Sequence, residues 1–176
     1  MVGLVTIGLL LLAIVGIQLR FFLRRRAQQR TTWNMLLARI EPLNFSDLEK
    51  IAKAYLEPRG NQLELQPQAM WRLLGGTDGL PRLRRNAQVM LDLAVFVQRW
   101  NFEDATVVAE IMRRDAARLQ KAITQIEMAM LLRRQSLRIP FYIHEASAAY
   151  YLMRQRLLAL YETSHVGLLP RLTQAL

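Results

Sequence analysis

The sequence predicts an all-α protein, in which a single N-terminal transmembrane helix precedes a compact cytoplasmic domain of about five helices with a long antiparallel helical hairpin. Three observations predict this fold class. The first nineteen residues carry no charge, apolar residues then recur at helical spacing, and no stretch alternates long enough to build a sheet. With 176 residues and 52% apolar composition, the chain has room for one domain of ordinary size.

Residues 1–23 are predicted to be a transmembrane anchor. Nineteen residues at about 1.5 Å each give about 28 Å of helix, close to the roughly 30 Å of bilayer hydrocarbon. A buried core helix would usually show a polar stripe, whereas Thr6 and Gln18 are the only polar side chains up to Leu19. A cleaved signal peptide is the stronger alternative. It needs basic residues before the apolar stretch and small residues after it, and this chain has the reverse order.

The junction after the apolar segment predicts the orientation of the protein. Arginine clusters favour the cytoplasmic side, so the N-terminus is expected outside and the C-terminal domain in the cytoplasm, at a bacterial inner (plasma) membrane. The phenylalanines are expected near the interface and the arginines at the lipid headgroups. The predicted membrane-interface residues are Arg20, Phe21, Phe22, Arg24, Arg25, Arg26 and Arg30.

Residues 24–42 are predicted to form a basic juxtamembrane helix that ends at Pro42. Its apolar residues recur at i, i+3, i+4 and i+7, and would face the domain below. The cytoplasmic domain is assigned to residues 43–166. Residues 167–176 are expected to be a C-terminal tail that frays at its end, because Gly167 and Pro170 interrupt it. The apolar stripe of the juxtamembrane helix consists of Trp33, Leu36, Leu37 and Ile40.

The first helix of the domain is predicted to start at Ser46, with Glu49 completing a capping box. A short helix is then predicted to begin at Pro67 and to end at the glycine pair Gly75 and Gly76. These signals are local, because each depends on a residue type at a helix end.

The next helix is expected to be capped by Thr77 or Asp78 and to hold Pro81 in its opening turn. Its continuation is apolar almost all round, so a buried strand over Val89–Val97 is an alternative. Helical spacing favours a central helix, with its inner face formed by Leu83, Ala87, Met90, Leu91 and Ala94.

The longest helix is predicted to run from Asn101 to about Gln135, with acids in its first turn. Asp115 and Arg118 are assigned to its solvated face, as are Glu110 and Arg114. The opposite face has a heptad-like seam, which favours an intramolecular helix pair. The seam consists of Met112, Ala116, Leu119, Ile123, Ile126 and Met130.

The partner in the predicted hairpin follows the break at Pro140. Alanines at 146, 148 and 149 would let this helix lie close to its neighbour. Its apolar stripe consists of Ala146, Ala149, Tyr150, Met153, Leu157, Leu160 and Tyr161.

The residue inventory argues against most catalytic chemistries. No cysteine is present, which excludes disulfides, zinc–thiolate sites, iron–sulfur clusters and thiol catalysis. Glu162 and His165 form one E-x-x-H fragment, but a carboxylate-bridged di-iron bundle needs two such motifs and two further glutamates. A helical metalloenzyme around this pair is therefore an alternative only. The protein is predicted not to be an enzyme and to bind no cofactor or metal.

Asp92 is the best candidate for a buried carboxylate, because it lies in an otherwise apolar run. A structural ion pair is favoured over catalysis for such a group. The expected partners are Arg85, Arg99 or Arg113.

The net charge of +10 raises the possibility of a nucleic-acid or anionic-lipid binder. Five of these charges lie in the membrane junction, and acids are interleaved with the rest, so a nucleic-acid partner is not expected. This function stays an alternative, with its basic patches formed by Arg82, Arg84 and Arg85 and by Arg133, Arg134 and Arg138.

The leading hypothesis is a membrane-tethered scaffold or adaptor that gathers a protein partner at the inner face of the membrane. Its partner surface is expected around residues 139–151, where a hydrophobic groove could accept a helix. Core packing is the alternative role of these aromatics. The candidate surface residues are Tyr142, Tyr150 and Tyr151.

Overall fold

The computed structural model describes residues 32–57, 66–132 and 138–176. All regular elements in these ranges are helical, and they include no strand, which confirms the all-α prediction. The predicted anchor, residues 1–23, lies outside the described residues, as does the predicted juxtamembrane helix up to residue 31. Within the described ranges, no helix is both long and apolar enough to cross a bilayer.

The chain divides into two compact units, Met1–Met35 and Leu36–Leu176. The first described helix, α1 (Trp33–Leu37), extends across this boundary. It ends before Pro42, contrary to the prediction. In the turn that follows it, the Arg39 and Ile40 N–H groups donate to the carbonyl oxygens of Leu36 and Leu37 at 3.1 and 3.0 Å.

Helix α2 (Phe45–Leu56) starts one residue earlier than predicted, and the capping box at Ser46 was wrong. Asn44 occupies the cap position, and its side-chain amide donates to the Asp47 carboxylate at 2.6 Å. Glu49 instead pairs with Lys53 at 2.8 Å, one turn further along the helix. The buried face of α2 consists of Leu48, Ile51 and Ala52.

Helix α3 (Pro67–Leu73) begins at Pro67, as predicted, and the glycine pair ends it. Gly75 and Gly76 have φ angles of +87° and +63°, which glycine adopts without a Cβ clash. This turn lets helix α4 (Gly76–Val97) start at Gly76, so the predicted cap at Thr77 or Asp78 was wrong. Pro81 consequently lies in the second turn of α4 instead of its first.

The central helix predicted over the apolar run is confirmed, and the strand alternative is excluded, because α4 continues to Val97. Leu83, Ala87, Met90 and Ala94 are buried, whereas Leu91 is only half-buried. Leu91 and Ala116 line an open groove of about 470 Å³ between α4 and the next helix, which explains their partial exposure.

Helix α5 (Phe102–Leu131) is capped by Asn101, whose side-chain oxygen accepts from the Asp104 N–H at 3.3 Å, as expected. It ends four residues earlier than predicted. Its seam is partly confirmed: Met112, Leu119, Ile123 and Ile126 are buried, but Ala116 is half-buried and Met130 is 40% exposed.

Helix α6 (Ile139–Ser164) runs antiparallel to α5, as predicted. Asn101, before α5, donates to Ser164 at the end of α6 at 3.1 Å, and Asp115 pairs with Arg156 further in. This helix contacts each described helix from α2 to α5, and its predicted apolar stripe is buried. The small side chains of Ala146, Ser147, Ala148 and Ala149 are all buried, which lets neighbouring helices approach closely.

The last residues are more ordered than the expected frayed tail. A 3₁₀ turn (Val166–Leu168) leads into helix α7 (Leu169–Ala175), which contacts α6. Leu172 is fully buried and holds this segment against the domain. The fraying was wrong because the interruption at Pro170 coincides with the first turn of a helix, where proline is tolerated.

Candidate protein interaction surface

The chain enters the domain along α4, where one asparagine satisfies both backbone groups of Glu41. The Glu41 N–H donates to Asn86 Oδ1, and Asn86 Nδ2 donates to the Glu41 carbonyl, each at 2.8 Å. Arg85 adds two hydrogen bonds to the Glu41 carboxylate at 2.5 and 2.8 Å. These bonds lower the pKa of the Glu41 carboxyl and raise the pKa of Arg85. The segment is thus fixed to α4.

Asp92 is only partly buried, and it pairs with none of the arginines that were expected. It lies 3.6 Å from Arg39 and accepts a hydrogen bond from Gln88 at 3.2 Å. Among the described residues the buried carboxylate is Asp115, which is 3% exposed and pairs with Arg156 of α6. Its predicted place on a solvated face beside Arg118 was wrong, because α6 covers that position.

Tyr150 and Tyr151 belong to the core, so the structure places neither on an accessible surface. The Tyr150 hydroxyl accepts from Asn86 Nδ2 at 3.4 Å, and its burial raises the pKa of the phenol. Tyr151 stacks on Phe45, with ring centres 6.0 Å apart. Helices pack on several sides of α6, so both tyrosines are enclosed. Of the three predicted surface tyrosines, Tyr142 alone is half-buried.

His144 joins α6 to α2 from inside the domain. Its Nδ1 lies 3.1 Å from the Ile51 carbonyl oxygen, which can only accept, so Nδ1 carries the proton. Nε2 then bears a lone pair and is buried without a hydrogen-bond partner. Burial lowers the pKa of His144, despite the opposing effect of the Ile51 bond. The neutral imidazole therefore suits this environment.

An exposed group of rings lies directly outside His144. Tyr55 of α2 stacks on His144 with ring centres 5.9 Å apart, and meets Phe141 edge-on at 6.0 Å. Phe141 in turn meets Tyr142 at 5.8 Å. Phe141 is 51% exposed and Tyr55 is 37% exposed. We call Tyr55, Phe141 and Tyr142 the aromatic surface.

The predicted segment 139–151 contains two of the three residues of this exposed surface, and the sequence singled out only Tyr142 among them. The sequence did not predict Tyr55 as a surface residue, because Tyr55 shares the apolar spacing of the buried face of α2. Its exposure follows from how α6 packs against α2. Phe141 offered a signal, since it falls outside the apolar stripe of its own helix.

The E-x-x-H fragment does not form a metal site in this fold. Helix α6 ends at Ser164, and His165 has φ −158° and ψ 69°, so its imidazole leaves the helical face of Glu162. The His165 ring contacts Trp100 edge-on at 5.3 Å, and Glu162 is exposed. Across the described ranges, no group of three or more histidine, aspartate or glutamate side chains could hold a metal ion.

The first arginine patch is largely neutralised by acids from other parts of the domain. Arg84 donates to Glu127 at 3.0 Å, and Arg85 is bonded to Glu41. Arg82 is exposed. In the second patch, Arg133 and Arg134 lie outside the described residues, and Arg138 is exposed before α6.

No protein-family model, curated protein or solved structure matches this chain.

Proposed function

We propose that this protein is a non-catalytic, membrane-tethered adaptor that holds a protein partner at the inner face of a bacterial membrane. In this proposal residues 1–23 anchor the chain with the N-terminus outside, and the helical domain lies in the cytoplasm. The aromatic surface is the observation that carries the adaptor role.

The support for the tether comes from sequence. Met1 to Leu19 is uncharged and long enough to cross a bilayer, and five arginines follow within the next eleven residues. Arg20, Phe21 and Phe22 would mark the interface, and the remaining arginines would meet anionic headgroups.

The support for an adaptor comes from how the domain uses its polar and aromatic groups. His144, Asp115 and Tyr150 each make a contact between helices, which is a structural use of groups that could otherwise perform acid–base chemistry. The aromatic surface, by contrast, leaves Phe141 51% exposed and Tyr55 37% exposed at the outside of the domain. Aromatic rings of this kind supply most of the binding free energy at many protein interfaces.

Site-specific photocrosslinking in native membranes tests this role. A photoreactive amino acid replaces Phe141 in the full-length protein, and a second variant carries it at Val107, which is 60% exposed on α5. We expect a discrete protein adduct from position 141 and none from position 107. Tyr55→Ala should lower the yield at 141 severalfold, because it removes the neighbouring ring. Equal labelling from both positions, or labelling of lipid alone at 141, would contradict the adaptor role.

A further inference from the structure

A second exposed apolar group lies at the other end of α6, away from the aromatic surface. Phe102 is 69% exposed, Val166 64% and Trp100 51%. Trp100 lies in the turn between α4 and α5, Phe102 is the first residue of α5, and Val166 begins the 3₁₀ turn after α6. The bond from Asn101 to Ser164 at 3.1 Å joins these two turns. We call Trp100, Phe102 and Val166 the apolar tip.

The tip is held in place by its neighbours. The Trp100 ring meets Phe96 edge-on at 5.0 Å and His165 at 5.3 Å. The Arg99 guanidinium lies 4.4 Å from the centre of the Phe96 ring. A tryptophan with one apolar face outside, next to an arginine, has the chemistry of residues that lie at the boundary between lipid and water.

The chain enters the domain from the side of this tip. Arg39 lies beside Asp92, and two residues later Glu41 lies beside Asn86, so the entering chain runs antiparallel to α4. The carboxyl end of α4, which leads into Trp100, is thus the end nearest the entry point. Residues 24–35 separate the predicted anchor from the domain and reach at most about 43 Å.

We propose that the apolar tip inserts into the headgroup region of the bilayer to which the chain is tethered. This inference rests on the membrane tether proposed above. A tether gives the bilayer a high effective concentration at the domain, so a small apolar area is sufficient for docking. In this arrangement the apolar tip contacts the lipid. The aromatic surface lies at the opposite end of α6, which is about 39 Å long, and faces away from the bilayer.

The charges around the tip indicate what drives insertion. Glu103, Asp104 and Glu162 lie near this end and outnumber the cations Arg99 and Arg171, so attraction to anionic lipid is not the cause. Insertion is driven by the burial of apolar surface, which dissolved salt does not screen. The contact should therefore persist at high salt.

The absence of cysteine makes single-site labelling direct. A fluorophore is attached to full-length Val166→Cys in nanodiscs of phosphatidylcholine and phosphatidylglycerol, and its quenching by lipids with brominated chains is measured. Met128→Cys is the control, because Met128 is 47% exposed and lies near the opposite end of α5 from Phe102. We expect quenching at 166 to exceed that at 128 by about threefold or more, and to be unchanged up to about 0.5 M salt.

A pair of matched variants then separates the two ends of the domain. In the Val166→Cys chain, Trp100→Ser with Phe102→Ser should abolish most of the quenching, whereas Tyr55→Ser with Phe141→Ser should leave it unchanged. Quenching at 166 no greater than at 128, in protein that remains with the nanodiscs, would overturn the insertion and leave the tether intact. Protein that separates from the lipid would overturn the tether and the insertion together.

Discussion

Asn86 takes the role that a neighbouring strand has in a sheet, because its amide pairs with the N–H and the carbonyl of one residue. Such a side chain is difficult to replace, since both of its polar atoms form hydrogen bonds to buried or half-buried groups. His144 has a similar role between α6 and α2, through one bond to Ile51. Both residues are polar, buried and far in sequence from their partners, so no local pattern predicts what they do.

Asn86→Ala should destabilise the domain by about 2–4 kcal/mol, because it leaves the backbone groups of Glu41 without partners. Gln88→Ala, on the exposed side of the same helix, removes only a bond to Asp92 and should change stability by less than about 0.5 kcal/mol. Urea unfolding followed by circular dichroism measures both. Similar effects of the two substitutions would show that the Glu41 contact contributes little.

The lowered pKa of His144 predicts that the domain loses stability in mild acid. The unfolded chain binds a proton at an ordinary histidine pKa near 6.5, whereas the folded chain resists protonation to a lower pH. Stability is therefore full above about pH 6.5 and falls as the pH drops toward the lowered folded pKa.

Thermal unfolding at several pH values between 7.5 and 5 checks this prediction, with His144→Asn as the matched variant. Asparagine retains a donor for the Ile51 carbonyl but does not titrate, so its profile should be flatter than that of the wild type. Parallel profiles for wild type and His144→Asn would refute the assignment.

At the scale of elements, helical periodicity predicted the helices well because it is a local property of the chain. Their ends were less predictable: Asn44 and Ser46 can both cap a helix, and only the packed structure selects Asn44. The turn between α3 and α4 is similar, since any glycine pair breaks a helix. Helix α4 can start immediately after this turn because Gly79 approaches the backbone of Leu74 closely.

Gly79→Ala should therefore be among the most damaging small substitutions in the domain. A Cβ at position 79 would lie 1.8 Å from the Leu74 carbonyl oxygen, and backbone would have to move. We expect the free energy of unfolding to fall by about 2–3 kcal/mol or more, as it does when a packed core is overfilled. Gly167→Ala meets nothing within 4 Å and should be neutral or slightly stabilising. Chemical unfolding of the two variants compares them directly, and equal stabilities would contradict the close approach.

The ion pair between α5 and α6 is a second property of elements that sequence spacing misassigned. Arg156→Met leaves the Asp115 carboxylate buried without a countercharge and should lower stability by about 3 kcal/mol. The double variant Asp115→Leu with Arg156→Met should recover most of that loss, because no buried charge remains. A double-mutant cycle measured in urea gives the coupling, and strictly additive losses would show that the two side chains act independently.

At the scale of the molecule, α6 explains both what the sequence predicted and what it missed. The helix has apolar spacing, so its existence and its hairpin with α5 were predictable. It is surrounded by other helices, so amphipathic spacing could not separate enclosed rings such as Tyr150 from exposed ones such as Phe141. The candidate surface was therefore predictable to the level of a segment, and its individual residues required the neighbouring α2.

The orientation of the whole chain gives the last prediction. A fluorescent protein that matures only in the cytoplasm should be bright when fused after Leu176, whereas alkaline phosphatase at the same place should be inactive. Replacing Arg24, Arg25 and Arg26 with serine should lower the fluorescence and raise the phosphatase activity, since in the proposed topology these charges hold the junction inside. Serine at the exposed pair Arg113 and Arg114 removes charge from the domain without touching the junction and should change neither reporter. Active phosphatase on the unaltered chain would reverse the orientation and move the aromatic surface to the other side of the membrane.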